Sequence, residues 1–263
     1  MKSNFGTALT VAVGLTLGST VIGAEQVKAA TLHIDNFDFT EQSADDVDRD
    51  DGMAVTDGPD PLVSPGETDI HGTTRTISAF KEATSTSVTG DYTVEINGDD
   101  LARINSESGV DGIGTLLYHF PEDTNLIGTH PFEDFRIVLD ILSNDLPGDD
   151  LSTFVTFTFT GPGGTATFDS LELDEPLSSL DPVKKVSVDF ADFTLTGTFG
   201  FDDVEKLELV FDTPIDGDIS FDNLKVEKIP FEAESAAGLA LLASWGAWKK
   251  WKHKQSTLQT EEN

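Results

Sequence analysis

The sequence predicts an all-β protein, a sandwich of two antiparallel sheets with a jelly roll-like topology. Three observations predict this fold. Many short segments alternate between apolar and polar residues, turn-forming residues separate them, and 18 phenylalanines are available to fill a core. Away from the two ends of the chain, no stretch of about 12 residues shows the helical period of 3.6. Helices are expected only at the ends, as an N-terminal signal helix and a short C-terminal hydrophobic helix.

The clearest strand is predicted at residues 155–160, where Val155, Phe157 and Phe159 share one face and three threonines share the other. Residues 135–142 are dense in branched and aromatic side chains, which favours a second strand. Further strands are predicted at 34–39, 92–96, 186–190, 193–199, 207–211 and 219–226. Turns are predicted at Asn97-Gly98, Asp111-Gly112, Gly161-Pro162-Gly163-Gly164 and Asp216-Gly217.

The predicted sandwich occupies residues 30–228, which is the size of one domain. Residues 31–228 carry 43 of the 48 acidic residues and only 10 of the 16 basic ones. This negative charge excludes nucleic acid as a partner, because phosphate binding requires positive charge. It attracts cations, above all Ca²⁺, although a solvated acidic surface explains the charge equally well. Residues 41–70 are rich in Asp, Gly and Pro and are expected to form an irregular acidic insertion.

The N-terminus predicts export. Lys2 precedes an apolar stretch at residues 8–17, and small residues then lead to a cleavage site after Ala29. A short charged segment, an apolar core and a cleavage site of small residues are typical of a signal peptide. The predicted signal peptide is residues 1–29, which signal peptidase would remove. A permanent N-terminal anchor is the alternative. The chain contains no cysteine, so the exported domain folds without disulfides.

The C-terminus carries an apolar run, residues 236–248, that is short for a transmembrane segment of about 17–25 residues. Tryptophan rings favour a membrane interface, and lysines behind them place the C-terminus in the cytoplasm while their stems extend the span. The residues concerned are Trp245, Trp248, Trp251, Lys249, Lys250, Lys252 and Lys254. The alternative is an amphipathic or buried C-terminal helix of the domain. Residues 255–263 are a polar tail.

The motif Pro230-Phe231-Glu232, followed by the apolar run and the basic cluster, resembles the PEP-CTERM class of bacterial sorting signals, in the Pro-Phe-Glu variant associated with cyanobacteria. The resemblance implies that residues 229–254 are a sorting signal and that the tail inserts transiently in the inner membrane. It also implies that an exosortase-like enzyme cuts near the motif and releases the domain to the cell surface or beyond. The family motif usually has two prolines, and this chain keeps only Pro230.

The segment 219–226, with its apolar-Asp-Asn-apolar centre, resembles the closing strand of jelly rolls of the carbohydrate-binding-module type, and residues 34–39 echo it. The resemblance implies that the first and last strands lie side by side and share a structural Ca²⁺ site. Asp35 and Asp222 would then be ligands. The alternative is that both aspartates face water at edges or turns.

A second candidate Ca²⁺ site consists of Asp46, Asp48, Asp50 and Asp57. Carboxylates at alternate positions can converge on one cation, as the first ligands of a Ca²⁺ loop do. The glycine of this segment is one position too late for an EF-hand and no helix flanks it. An EF-hand is therefore not expected here, and looser cation binding is the candidate that remains.

No catalytic motif is found: the sequence contains no Gly-x-Ser-x-Gly, no His-Glu-x-x-His and no phosphate loop. The first interpretation is therefore a non-catalytic surface or extracellular-matrix protein with an adhesive or matrix-associated role. The alternatives are a carbohydrate-binding module for envelope or extracellular polysaccharide and a secreted hydrolase of unrecognised type. Sugars usually stack on Trp or Tyr, yet the domain has no tryptophan and only Tyr92 and Tyr118.

Overall fold

A computed structural model describes residues 31–37, 41–46, 53–62, 70, 73–82, 90–97, 101–146, 151–178 and 182–229. These residues form fourteen strands: β1 (Thr31–Asp35), β2 (Gln42–Asp46), β3 (Val55–Pro61), β4 (Thr74–Glu82), β5 (Tyr92–Asn97), β6 (Leu101–Ser106), β7 (Asp111–His119), β8 (Phe135–Asp145), β9 (Thr153–Gly161), β10 (Gly164–Leu173), β11 (Lys184–Asp189), β12 (Thr194–Gly197), β13 (Lys206–Thr213) and β14 (Asp218–Lys228). Two single-turn 3₁₀ helices, Phe132–Asp134 and Phe190–Asp192, precede β8 and follow β11.

The strands form two seven-stranded sheets in which every pairing is antiparallel, and the sheets pack into a sandwich. Sheet A has the order β11-β8-β14-β6-β5-β2, and sheet B has the order β12-β10-β9-β13-β7-β4-β3. The first strand, β1, pairs with the second half of β14, so that β1 and β6 share one edge of that strand. The predicted all-β, two-sheet antiparallel sandwich is confirmed, and the first and last strands lie side by side as expected.

The core lies between the two sheets and is built by alternation along each strand. In β9, Val155, Phe157 and Phe159 are buried while the threonines between them face outwards. The two sheets meet where Phe211 of β13 stacks on Phe221 of β14, with ring centroids 4.7 Å apart. Of the fifteen phenylalanines in the described residues, eleven are buried, so these rings serve the core as the alternation predicts.

Two predictions about the first half of the domain are wrong. Residues 41–70 are not irregular throughout, because β2 and β3 lie within them. The polar side chains of Gln42 and Asp46 are buried because each forms a hydrogen bond with a residue more than 30 positions along the chain. In the sequence alone these polar residues are typical of a loop. Asp111-Gly112 is not a turn but the start of β7, where Gly112 has no Cβ and so leaves room for the buried ring of Tyr92.

The expected signal helix, the sorting motif Pro230-Phe231-Glu232 and the tail with its tryptophans and lysines lie outside the described residues. Within the part of the chain that the structure describes, no helix has the length and apolar character to cross a membrane.

Candidate functional site

A groove of about 570 Å³ crosses the outer face of sheet A. Its floor is one row of directly paired residues from four neighbouring strands. Glu95 of β5 lies opposite Arg103 of β6, Arg103 lies opposite Ser220 of β14, and Ser220 lies opposite Ser143 of β8. Asn105 and Asp218 line the same groove beside this row. We call these six residues the sheet A groove.

Strand alternation explains why polar side chains gather on this face. Val94 and Ile96 flank Glu95 in β5, Ala102 and Ile104 flank Arg103 in β6, and Ile219 and Phe221 flank Ser220 in β14; all six flanking residues are buried. Because neighbours along a strand point to opposite faces, burying the apolar set turns Glu95, Arg103 and Ser220 outwards. The core thus positions the groove.

The groove continues at both ends into neighbouring depressions. Towards β8, a depression of about 530 Å³ shares Ser143 and Asp218 and extends to Asp145 and Ser178. Towards β2, a depression of about 360 Å³ shares Glu95 and reaches Ser43 and Asp57. From β2 to β8 the path crosses four interstrand spacings, or about 19 Å. The face therefore offers an elongated cleft that runs across the strands.

The sheet A groove combines six polar side chains with the apolar residues Leu101, Ile104, Leu142 and Ile219, and its described lining residues include no aromatic side chain. Two carboxylates, a guanidinium, an amide and two hydroxyls supply both donors and acceptors. The hydroxyls of Ser143 and Ser220 are hydrogen-bonded to each other. Tyr92 and Tyr118, the domain's two tyrosines, are fully buried and take no part in this surface. A ligand would be held here by hydrogen bonds rather than by stacking.

Burial raises the pKa of the Asp218 carboxyl above its ordinary value. The Ser106 N–H, which donates to Asp218 Oδ1 at 2.9 Å, acts in the opposite direction. The charges of Asp145, directly opposite on β8, and of Asp216 raise the pKa further. The net effect is a raised pKa, so Asp218 holds a proton more readily than an ordinary aspartate does.

We expect Asp218 to make the stability of the fold depend on pH. Since its pKa is raised on folding, the folded state binds the proton more tightly, and stability rises as pH falls from the raised pKa towards the usual Asp value of about 3.9. Asp218→Asn should therefore gain most relative to wild type at neutral pH, and the gain should shrink on acidification. Urea unfolding at several pH values measures the difference in the free energy of unfolding between Asp218→Asn and wild type. A difference that is constant or grows with acid would contradict the assignment.

The candidate Ca²⁺ ligand Asp35 lies in a buried network between the sheets. Its Oδ2 forms an ion pair with Arg75 of β4 and accepts a hydrogen bond from the hydroxyl of Tyr118 of β7 at 3.0 Å. Its Oδ1 accepts the backbone N–H of Phe37 at 2.9 Å. Arg75 also donates to Gln42 Oε1 at 2.7 Å. The carboxylate of Asp35 is thus occupied by protein donors.

The other candidate ligands are spread over the sandwich. Asp222 lies opposite Asp140 of β8, and its oxygens accept the backbone and side-chain N–H groups of Asn223, both at 2.6 Å. Asp46 Oδ2 accepts the Lys81 N–H, and Asp57 Oδ2 accepts the Ser43 N–H. Asp48 and Asp50 lie outside the described residues. In the described ranges, no three His, Cys, Asp or Glu side chains form a group able to hold a metal ion. Calcium binding stays a prediction.

Sequence reasoning missed every residue of the sheet A groove. The alternation in β5 and β14 indicates that Glu95 and Ser220 face outwards, and this signal was available. What the sequence does not contain is the register that sets Glu95, Arg103, Ser220 and Ser143 in one row. That row joins positions up to 125 apart along the chain.

No protein-family model and no curated protein matches the chain. Among solved structures, it is similar to the Family 11 Carbohydrate-Binding Module from Clostridium thermocellum, in complex with a β-1,3-1,4-mixed-linked tetrasaccharide. That match has a TM-score of 0.35 and 13% identity, and covers 74% of this chain and 94% of that one.

A second match is SGBP-B from a complex xyloglucan utilization locus in Bacteroides uniformis, with a TM-score of 0.33 and 13% identity over 75% of this chain. A third is PfGH50B, with a TM-score of 0.36 and 10% identity over 53% of this chain. The chain spans 49% of the second protein's length and 22% of the third's. At TM-scores this low, none of the three similarities bears on the ligand of this chain.

Proposed function

We propose that this chain is a non-catalytic, exported β-sandwich that binds a glycan along the outer face of sheet A. The observation that carries the proposal is the elongated cleft centred on the sheet A groove, with polar side chains from four neighbouring strands along its floor. Its shape fits an extended polymer rather than a compact small molecule. The jelly-roll topology, export by the N-terminal signal and sorting by the C-terminal tail belong to the same proposal and rest on the sequence.

The side chains of the groove suit a ligand rich in hydroxyl groups. A sugar hydroxyl both donates and accepts, and Glu95, Asp218 and Asn105 offer acceptors while Arg103 and Asn105 offer donors. Hydrogen bonds to charged groups are stronger than those between neutral groups, which compensates in part for the absence of a stacking ring. This chemistry gives the proposed adhesive role a defined contact surface.

Replacing Ser220 by tryptophan should abolish glycan binding, since Ser220 lies in the middle of the row and an indole would fill the groove. We expect wild-type signals on a glycan array to disappear in Ser220→Trp. Thr158→Trp is the matched control, because Thr158 is a half-buried hydroxyl residue on the outer face of sheet B. Circular dichroism should show both variants folded.

Two results would contradict the proposal. One is an array on which the wild-type chain binds no glycan. The other is loss of binding in Thr158→Trp with retention in Ser220→Trp, which would move the site to the opposite sheet.

A secreted hydrolase is a second candidate, and one observation favours it. Asp145 and Asp218 are direct partners on β8 and β14 and line the same depression, so two carboxyls are neighbours at one surface site, as the two-carboxylate mechanism of glycosidases requires. Against it, Asp218 Oδ1 already accepts the Ser106 N–H, so a protein donor occupies one of the two oxygens that a catalytic carboxyl would offer to a substrate. Release of reducing ends from a bound glycan, lost in Asp218→Asn, would favour hydrolysis over binding alone.

A further inference from the structure

Arg103 is the single basic side chain among the described residues that line the sheet A groove. It is exposed, whereas its neighbours in β6, Ala102 and Ile104, are buried. Within the described part of the chain, its guanidinium forms no ion pair and no side-chain hydrogen bond. The other arginines on the strands behave differently: Arg75 pairs with Asp35, and Arg136 pairs with Glu227.

Glu95 makes this lack of a partner informative. It is the direct cross-strand partner of Arg103, yet the two side chains do not form an ion pair. Exposed pairs of this kind are worth only about 0–1 kcal/mol, so Glu95 competes weakly with an anionic ligand for the guanidinium. A five-donor planar fork is therefore presented to the groove in a protein whose net charge is −32.

We propose, on the basis of the proposed glycan function, that the ligand is an anionic glycan whose oxyanion binds Arg103. A carboxylate and a sulfate both present a pair of oxygens that can accept two parallel hydrogen bonds from the guanidinium group. Asn105 and Ser220 lie beside it and can bind the neighbouring hydroxyls. Arg103 thus determines specificity, while the remaining groove residues bind features common to all glycans.

The surrounding carboxylates set the selectivity of this contact. Glu95 and Asp218 line the groove, and Asp57 and Asp145 line its two extensions. Each of these carboxylates repels an anion, and among the described lining residues of the groove only Arg103 offsets that repulsion, so a glycan with sparse charge fits better than one charged on every unit. Salt screens charges that lie more than about 8–10 Å apart, and here it screens the repulsion from the carboxylates as well as the attraction to Arg103. Added NaCl should therefore weaken binding less than it does at a site surrounded by basic residues.

The test uses the full chain and two matched probe pairs in isothermal titration calorimetry. One pair is an oligogalacturonate and its methyl ester, and the other is a sulfated galactan oligosaccharide and its desulfated form. We expect one charged probe to bind about 10- to 100-fold more tightly than its neutral counterpart. The pair that shows the difference identifies carboxylate or sulfate as the source.

Variants assign the effect to Arg103. Arg103→Gln should remove the preference for the charged probe, so that the charged and neutral members of a pair bind equally, whereas Arg103→Lys should retain part of the preference as a point charge. Glu95→Gln keeps a hydrogen-bonding side chain and should strengthen binding of the charged probe severalfold, because it removes the opposing charge.

Equal affinity within both pairs, or a preference that survives in Arg103→Gln, would overturn the role of Arg103 while the glycan function stands. Binding to neutral array glycans with no binding to either charged probe would likewise overturn the role of Arg103 and leave the glycan function standing. An array without any bound glycan would overturn both the role of Arg103 and the proposed glycan function.

Discussion

Arg75→Met is expected to lower the free energy of unfolding by about 3–5 kcal/mol, because it leaves the carboxylate of Asp35 buried without its cation. Arg75 and Asp35 are 1% and 2% exposed, so water cannot replace the lost partner. The substitution also removes the donor to Gln42 and the guanidinium that lies 5.5 Å from the centre of the Phe37 ring. Since Arg75 belongs to sheet B and Asp35 to sheet A, the loss falls on the contact between sheets. Urea unfolding measures it.

The matched control is the double variant Asp35→Leu/Arg75→Met, which removes both charges together. Replacing a buried ion pair by apolar residues of similar volume is often neutral or stabilising, so the double variant should recover much of the stability lost in the single one. Tyr118, whose pKa burial and the Asp35 charge raise well above the usual value, remains a neutral donor that loses its acceptor. A single variant as stable as wild type would show that the pair does not hold the sheets together.

Phe201→Ala is expected to destabilise the fold by about 3–5 kcal/mol, the usual cost of removing a large buried ring. Phe201 is 2% exposed and stacks on Phe190 with centroids 4.0 Å apart. Four further phenylalanines, at positions 132, 159, 193 and 199, surround it within 6 Å. Because this cluster joins β9 of sheet B to the segment after β11 of sheet A, its loss should open that end of the sandwich. Thermal unfolding reports the change.

Phe154→Ala is the control for this prediction. Phe154 belongs to the same strand as Phe159 but faces outwards and is 38% exposed, so its removal should change stability by about 0.5 kcal/mol or less. Similar losses in the two variants would contradict the assignment of Phe201 to the core.

The sequence predicts the strands whose face patterns are strongest. In β9, the alternation of Val155, Phe157 and Phe159 with threonines defines the strand and its buried face, and the Gly161-Pro162-Gly163-Gly164 segment marks the hairpin to β10. The two-sheet sandwich follows, because many half-buried strands need a second sheet to cover their apolar faces.

Other elements depend on contacts that no local pattern encodes. Gln42 and Asp46 look like loop residues until Arg75 and the backbone of Lys81 are brought beside them. The groove depends in the same way on strand register, because Arg103 and Ser220 meet only when β6 pairs with β14. Alternation gives the orientation of each side chain, and tertiary pairing decides which outward-facing side chains become neighbours.

An NMR titration tests the central claim most directly. The ¹⁵N-labelled chain would be titrated with the oligosaccharide that gives the strongest array signal, and backbone shifts would be followed. We expect the largest shifts in β5, β6, β8 and β14, centred on Glu95, Arg103, Ser220 and Ser143, with little change in β9, β10 and β12. Shifts concentrated in the strands of sheet B, or spread evenly over both sheets, would contradict glycan binding at the sheet A groove.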